Sequence, residues 1–162
     1  MLLTLLTLLT LLLVAACLVL IAAQAGLFRG KPPSLLGVQG GRLPPPYETP
    51  NNVHSQTAIW GDAYAHTFIE PLPAQTDGPD TMLRLRQLIE ATPGAQVVRA
   101  GPDYLYVQYT TKWMKFVDDA EFWFDPAMAK VQVRSASRLG RSDLGVNRAR
   151  IEDLRRRLSG GG

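Results

Sequence analysis

Cysteine is almost missing from this chain: of 162 residues one is a cysteine, Cys17, and it lies inside a long apolar run. That excludes an intramolecular disulfide, and it excludes a cysteine-based zinc site or thiol catalysis in any folded part downstream. Histidine is nearly as scarce, with two copies, His54 and His66. There is no nucleophile elbow, no glycine-rich phosphate loop and no recognised metal-binding spacing. His66 and Glu70 have the even spacing of one strand face but lack a third ligand nearby. Ser135, Ser137 and Ser142 have no histidine close in sequence, so a serine site would need the fold to bring in His54 or His66. His54, in "NNVHSQT", reads as a surface or capping residue. Neither a metal nor a cofactor is expected.

Charge is absent from Met1 to Ala25, where Leu, Val, Ile and Ala dominate. About 20 apolar residues suffice to cross a bilayer, so residues 1–25 are expected to be a membrane anchor or a signal segment in contact with lipid. "AAQAG" resembles a small-residue cleavage site and "VAAC" loosely resembles a lipoprotein box. Both readings lack a basic residue ahead of the apolar run, and "LVLIAA" continues past Cys17 where a lipoprotein turns polar. The expectation is an uncleaved anchor with the domain on the periplasmic or extracytoplasmic side. Arg29 and Lys31 just beyond the run favour the cytoplasmic side on charge bias, so that orientation stays open.

Periodicity is lacking from residues 26–57, which are rich in Gly, Pro and Asn; this stretch reads as a linker or an irregular strap. A globular α+β domain is expected over 58–158, with its body starting near Trp60, and a flexible tail over 159–162. "AHTFIEPL" (65–72) is strand-like. "DGPDTMLRLRQLIEATPG" (77–94) reads as a helix opened by Pro79 or Asp80, with Met82, Leu85, Leu88 and Ile89 on one stripe and Arg84 and Arg86 solvated beside it. Strands are expected at 95–100, 103–111, 115–125 and 130–138. A final helix over 143–158 would be capped by Ser142 or Asp143 and would bury Val146, Ile151, Leu154 and Leu158. Consecutive strands without helical crossovers predict an antiparallel sheet of about four to five strands with two main helices on one face.

What is present, and unusual, is a strand rich in Phe and Trp that carries three carboxylates: "FVDDAEFWFD", residues 116–125. Closing it onto the next strand through residues 126–129 pairs Asp125 with Lys130, Trp123 with Gln132, Glu121 with Arg134, Asp119 with Ala136 and Val117 with Arg138. On the other face Phe124 meets Val131, Phe122 meets Val133, Ala120 meets Ser135 and Asp118 meets Ser137. Glu121 and Asp119 then sit on a polar face near Arg134 and Arg138, as ordinary cross-strand ion pairs worth roughly 0.2–1 kcal/mol each. Asp118 shares a face with Phe116, Ala120, Phe122 and Phe124, and a buried carboxylate there needs a partner. It either pins the following turn through Ser135 and Ser137, or it is functional.

The net charge of +3 is concentrated beyond Lys130, in a stretch "RSASRLGRSDLGVNRARIEDLR". Guanidiniums around a helix start suit phosphate or carboxylate, and with an anchor at the other end lipid is a better partner than nucleic acid, which is not expected. The two elements "FVDDAEFWFD" and "VRSASRLGRSDLGVNRARIEDLR", with "PNNVHSQ" and "IEPL", resemble the bacterial and plastid family called domain of unknown function 1499, from about Gly37 to Leu158. The family motif falls here on Asp118, Asp119, Glu121, Arg134, Ser135, Ser137, Arg138, Gly140, Asp143, Gly145, Asn147 and Arg148. The resemblance implies an N-terminal membrane or export segment and carries no settled activity. Members often show a C-P-x-x-P-N-C strap; this chain has Pro46 and Asn52 at the cysteine positions.

Three functions remain. One is a membrane-anchored domain that binds an anionic ligand or an envelope protein through Arg134, Arg138, Arg148, Ser135, Ser137, Asn147 and Asp143, without catalysis. A second is a membrane-associated hydrolase with Asp118 or Asp119 as acid–base group, His66 as a further catalytic candidate and Arg138 or Arg148 as anion clamp. The third is a structural component of the envelope.

Overall fold

The computed structural model describes residues 1–74 and 77–160. Its element order is α1 (Leu2–Gln24), β1 (Asn52–His54), β2 (Leu72–Pro73), α2 (Gly78–Glu90), β3 (Ala95–Ala100), β4 (Tyr104–Thr110), β5 (Val117–Asp125), β6 (Lys130–Ser137) and α3 (Val146–Ser159), with two short 3₁₀ turns at Thr57–Ile59 and Asp62–Thr67. The strands form one antiparallel sheet in the order β1-β6-β5-β4-β3, and β2 also pairs with β6. This is an α+β fold. The β5–β6 register is the one read from the sequence, from Asp118 opposite Ser137 to Asp125 opposite Lys130.

The helices cover one face. Met82, Leu85 and Ile89 of α2 and Ile151, Leu154 and Leu158 of α3 pack on Leu105, Val107, Ala120, Phe122, Val131 and Val133. The α2 cap is Asp77, whose carboxylate accepts from the Asp80 amide at 2.9 Å, with Pro79 inside the first turn rather than opening the helix. Gly94 makes the turn into β3 at φ +82, where a Cβ would stand 2.5 Å from the Thr110 carbonyl oxygen. In α3 the expected apolar Val146 is exposed and Asn147 is buried in its stead. Gly145 is the cap residue, and Asp143 serves the helix start by accepting from the Asn147 amide at 2.8 Å.

Two expectations upstream are corrected. Residues 65–72 are not one strand: they hold a 3₁₀ turn and the short β2. The edge of β6 is already taken there by β1, which leaves Phe68 a single bridge to His54. The folded body also begins well before Trp60. Leu43 is fully buried, and Asn52, Val53 and His54 form the sheet's edge strand. Residues 26–57 are thus a strap tied onto the sheet by hydrogen bonds, which need no periodic pattern. Asn52 holds its turn, donating to the Tyr47 and Thr49 carbonyls at 3.0 and 2.6 Å and accepting from the Tyr47 amide at 3.2 Å.

Apart from Ala23, α1 buries none of its 23 residues, and it is long and apolar enough to cross a membrane. Gly161 and Gly162 of the expected tail lie outside the described residues.

Candidate functional site

Neighbouring residues of a strand point to opposite faces, so Asp118 and Asp119 cannot share a site. On the helix face the Asp118 carboxylate accepts from the Ser137 hydroxyl at 2.6 Å and from the Arg150 guanidinium at 2.7 Å. Arg150 also donates to the Asn147 side-chain carbonyl at 2.8 Å and lies over the Tyr109 ring, 4.2 Å from its centroid. Asn147 accepts from the Ser135 hydroxyl at 2.5 Å and donates to Ser137 Oγ at 3.0 Å and to Asp143 at 2.8 Å. Burial alone would raise the Asp143 carboxyl, but the hydrogen bonds from Asn147 and Gly145 outweigh it and hold that group below its usual range. Tyr109, buried without a partner for its hydroxyl among the described residues, is pushed up to about 12, chiefly by burial and against the charges of Arg150 and Arg157.

Five of the candidate residues, Asp118, Ser135, Ser137, Asp143 and Asn147, are therefore one hydrogen-bonded cluster that ties the start of α3 to β5 and β6. A cavity of about 260 Å³ opens beside Asp118, Ser137 and Asp143, walled by Phe116, Leu139 and Val146. His66 does not line it. That histidine is exposed on the 3₁₀ turn and shares a small recess with Arg148, whose guanidinium donates to the Phe68 carbonyl at 2.7 Å. Arg148 and Arg138 thus belong to different places and do not form one clamp.

On the other face, the polar side with its cross-strand ion pairs is buried beneath the strap. Glu121 is fully buried and Arg134 is 3% exposed, with a charge-assisted bond of 2.9 Å between them. Glu121 Oε1 accepts from the Tyr104 hydroxyl and from the strap amide of Gly37, both at 2.7 Å. Burial first, and the Glu121 charge second, drive the Tyr104 phenol far above its usual range. Arg138 forks onto Asp119 at 2.6 and 2.8 Å, and Tyr106 donates to the same carboxylate at 2.6 Å. The hydrogen bonds to Asp119 raise Arg138 further, against its burial. Arg134 is also held by the Pro45 carbonyl at 3.3 Å and stacks 5.2 Å from the Tyr47 ring centroid.

His54 lies on this face and is buried, not superficial. The Gln56 amide can only donate, so Nδ1 accepts from it at 2.9 Å and Nε2 carries the proton given to the Pro44 carbonyl at 2.9 Å. Burial lowers its pKa to about 4; the Pro44 bond opposes that shift and the Arg134 charge adds to it.

Between strap and sheet runs a polar cleft of about 400 Å³, bordered by Lys31, Tyr47, Thr49, Asp119, Arg134 and Arg138. Of these, sequence reasoning singled out Asp119, Arg134 and Arg138. It missed Lys31, Tyr47 and Thr49, which sit in aperiodic chain. Tyr104 and Tyr106 were legible in principle, because both alternate with Leu105 and Val107 along β4. Among the described residues no group of three His, Cys, Asp or Glu side chains converges to hold a metal.

A family model described as "Protein of unknown function (DUF1499)" matches residues 42–158. No curated protein matches the chain, and no solved structure matches it.

Proposed function

The chain belongs to the DUF1499 family, and from that premise we propose that it is a membrane-tethered, non-catalytic domain that binds a small oxyanion, phosphate or carboxylate, in the cleft between strap and sheet. The observation that carries this reading is the charge of the cleft. Lys31, Arg134 and Arg138 border it against one lining carboxylate, Asp119. Glu121 stands behind Arg134 and still leaves the cations in excess. Both guanidiniums are held in place by carboxylates before any ligand arrives, which lowers the entropic cost of binding. Lys31 is exposed at the rim and has no ion-pair partner among the described residues. Four of the five arginines of α3 are less free for such a role, because Arg150, Arg155, Arg156 and Arg157 each face an acidic partner.

The test is thermal melting of the full chain in uncharged detergent micelles, with inorganic phosphate in one arm and a short-chain phosphatidylglycerol in the other. A ligand at 100 times its Kd stabilises by about 2.7 kcal/mol, so saturation should raise Tm by several degrees. Lys31→Ala should leave the unliganded Tm in place and weaken the shift severalfold. A response to phosphate marks a soluble ligand, and a response to the lipid alone marks a headgroup. If neither anion moves Tm, or if Lys31→Ala leaves the shift intact, the cleft is not an anion site.

A further inference from the structure

Three segments meet at one end of the sheet: residues 26–31 after α1, the β4–β5 connection at 111–116, and the β6–α3 connection at 138–145. The end of α1 reaches them directly. Gln24 donates to the Trp113 carbonyl at 3.0 Å. Phe28 packs on Phe116 with ring centroids 5.7 Å apart. Gly30 passes so close that a Cβ there would lie 2.7 Å from Cβ of Arg138.

The surface so formed is both apolar and basic. Trp113 is 64% exposed, Phe116 40%, Leu139 42% and Leu144 95%. Arg29, Lys31, Lys112, Lys115 and Arg141 surround them, and none has an ion-pair partner among the described residues. Asp143 is the sole acidic residue in the three segments, and its carboxylate is engaged by Asn147. The opposite end of the sheet carries more acid. There the start of α2 lies by the β3–β4 turn, which gathers Asp77, Asp80 and Asp103.

We propose that this end of the domain seats in the headgroup layer of the bilayer that α1 enters, with Trp113, Phe116, Leu139 and Leu144 at the acyl boundary and the five cations on anionic headgroups. The proposal rests on the reading of α1 as a membrane helix. Indole and phenyl rings with a flanking belt of Lys and Arg are the side chains that an interface favours. Each cation near an anionic surface adds to the attraction. A watery partner would leave Leu144 and Trp113 unburied, whereas the end of α1 is bonded to Trp113 and holds it beside the membrane helix. Docking also fixes the tilt of the domain and brings Lys31, at the mouth of the cleft, to headgroup level.

The experiment uses the full chain with Trp60→Phe and Trp123→Phe, so that Trp113 alone emits, reconstituted into vesicles of phosphatidylcholine with phosphatidylglycerol. Flotation and resistance to alkaline carbonate report on α1. The expected result is a blue-shifted Trp113 emission, quenched severalfold more by lipids brominated near the glycerol than by lipids brominated at the chain ends. Combining Lys112→Gln, Lys115→Gln and Arg141→Gln should reduce that quenching in anionic vesicles to the level of neutral ones. The chain with all three tryptophans gives the same reading as a partial loss of emission, should the double Phe variant fold poorly. A chain that floats with Trp113 unquenched overturns the docking and leaves the anchor standing. A chain that does not float overturns both. Quenching indifferent to the three glutamines overturns the role given to the cations.

Discussion

The two faces of β5 carry the same chemistry under different covers. Asp118 meets Arg150 beneath a helix, with side chains 11% and 14% exposed, and Glu121 meets Arg134 beneath the strap at 0% and 3%. A helix start with polar side chains leaves its ion pair partly wet. A strap of Pro, Gly and short loops instead seals its pair, because it follows the sheet and offers backbone groups such as the Gly37 amide and the Pro45 carbonyl as partners. The segment least like an element in sequence thus covers the drier of the two ion pairs. An apolar face would bury at lower desolvation cost, whereas the polar atoms give this aperiodic chain fixed partners on the sheet.

The largest effect should come from breaking the sealed side. Glu121→Ala removes acceptors used by Arg134, Tyr104 and Gly37 together. It leaves a buried guanidinium without its counter-charge, which costs about 3–5 kcal/mol. At about 4 °C per kcal/mol for a domain of this size, Tm should fall by roughly 10–20 °C, and trypsin should cut the loosened strap. Replacing the pair together, with Glu121→Leu and Arg134→Met, should recover most of that loss. A double variant as unstable as Glu121→Ala would mean that packing of the strap, rather than charge, dominates this face.

Next in size is a pH effect confined to the same side. His54 titrates near 4 in the folded chain against 6.5 for the free side chain. Between those values the unfolded chain holds more protons, so stability rises with pH through that window and is lost as pH falls. The loss from pH 7 to 4 is about 3 kcal/mol at 1.36 kcal/mol per pKa unit. Denaturant melts across that range should show it, and His54→Gln should flatten it while leaving behaviour above pH 7 little changed. An unchanged slope in the variant would show that the strap opens before His54 is protonated.

The β5–β6 pairing was legible because period two, a short connection and four opposed pairs on each face agree on one register. The apolar stripes of α2 and α3 were legible for the same kind of reason, with Asn147 the exception: nothing in its chemistry announces a buried helix residue until the five partners of its side chain are in place. The cover over Glu121 and Arg134 was not legible. Residues 26–57 bond through backbone groups and through Asn52, Gln56 and His54, and that kind of pairing leaves no trace in hydrophobic spacing. For the candidate site the floor could be read, in Asp119, Arg134 and Arg138, while its wall of Lys31, Tyr47 and Thr49 could not. His66 stands apart from Asp118 and Asp119: it is exposed on its turn and shares a recess with Asp143 and Arg148, but lines neither the cavity beside Asp118 nor the strap cleft.

The smallest effect of the three belongs to the wetter side. Asp118→Asn keeps the shape and one acceptor for Ser137, but removes the charge that faces Arg150. Arg150 retains Asn147 and the Tyr109 ring and is 14% exposed, so water and the ring's negative face compensate part of the loss. The expected cost is about 1–3 kcal/mol, or roughly 4–12 °C in Tm, clearly less than that of Glu121→Ala. A loss equal to that of Glu121→Ala would show the helix side to be as sealed as the strap side. A gain in stability would show that Asp118 is retained at a cost to the fold, and the cavity beside it, with Ser137 and Asp143 on its wall, would then be the place to look for a ligand.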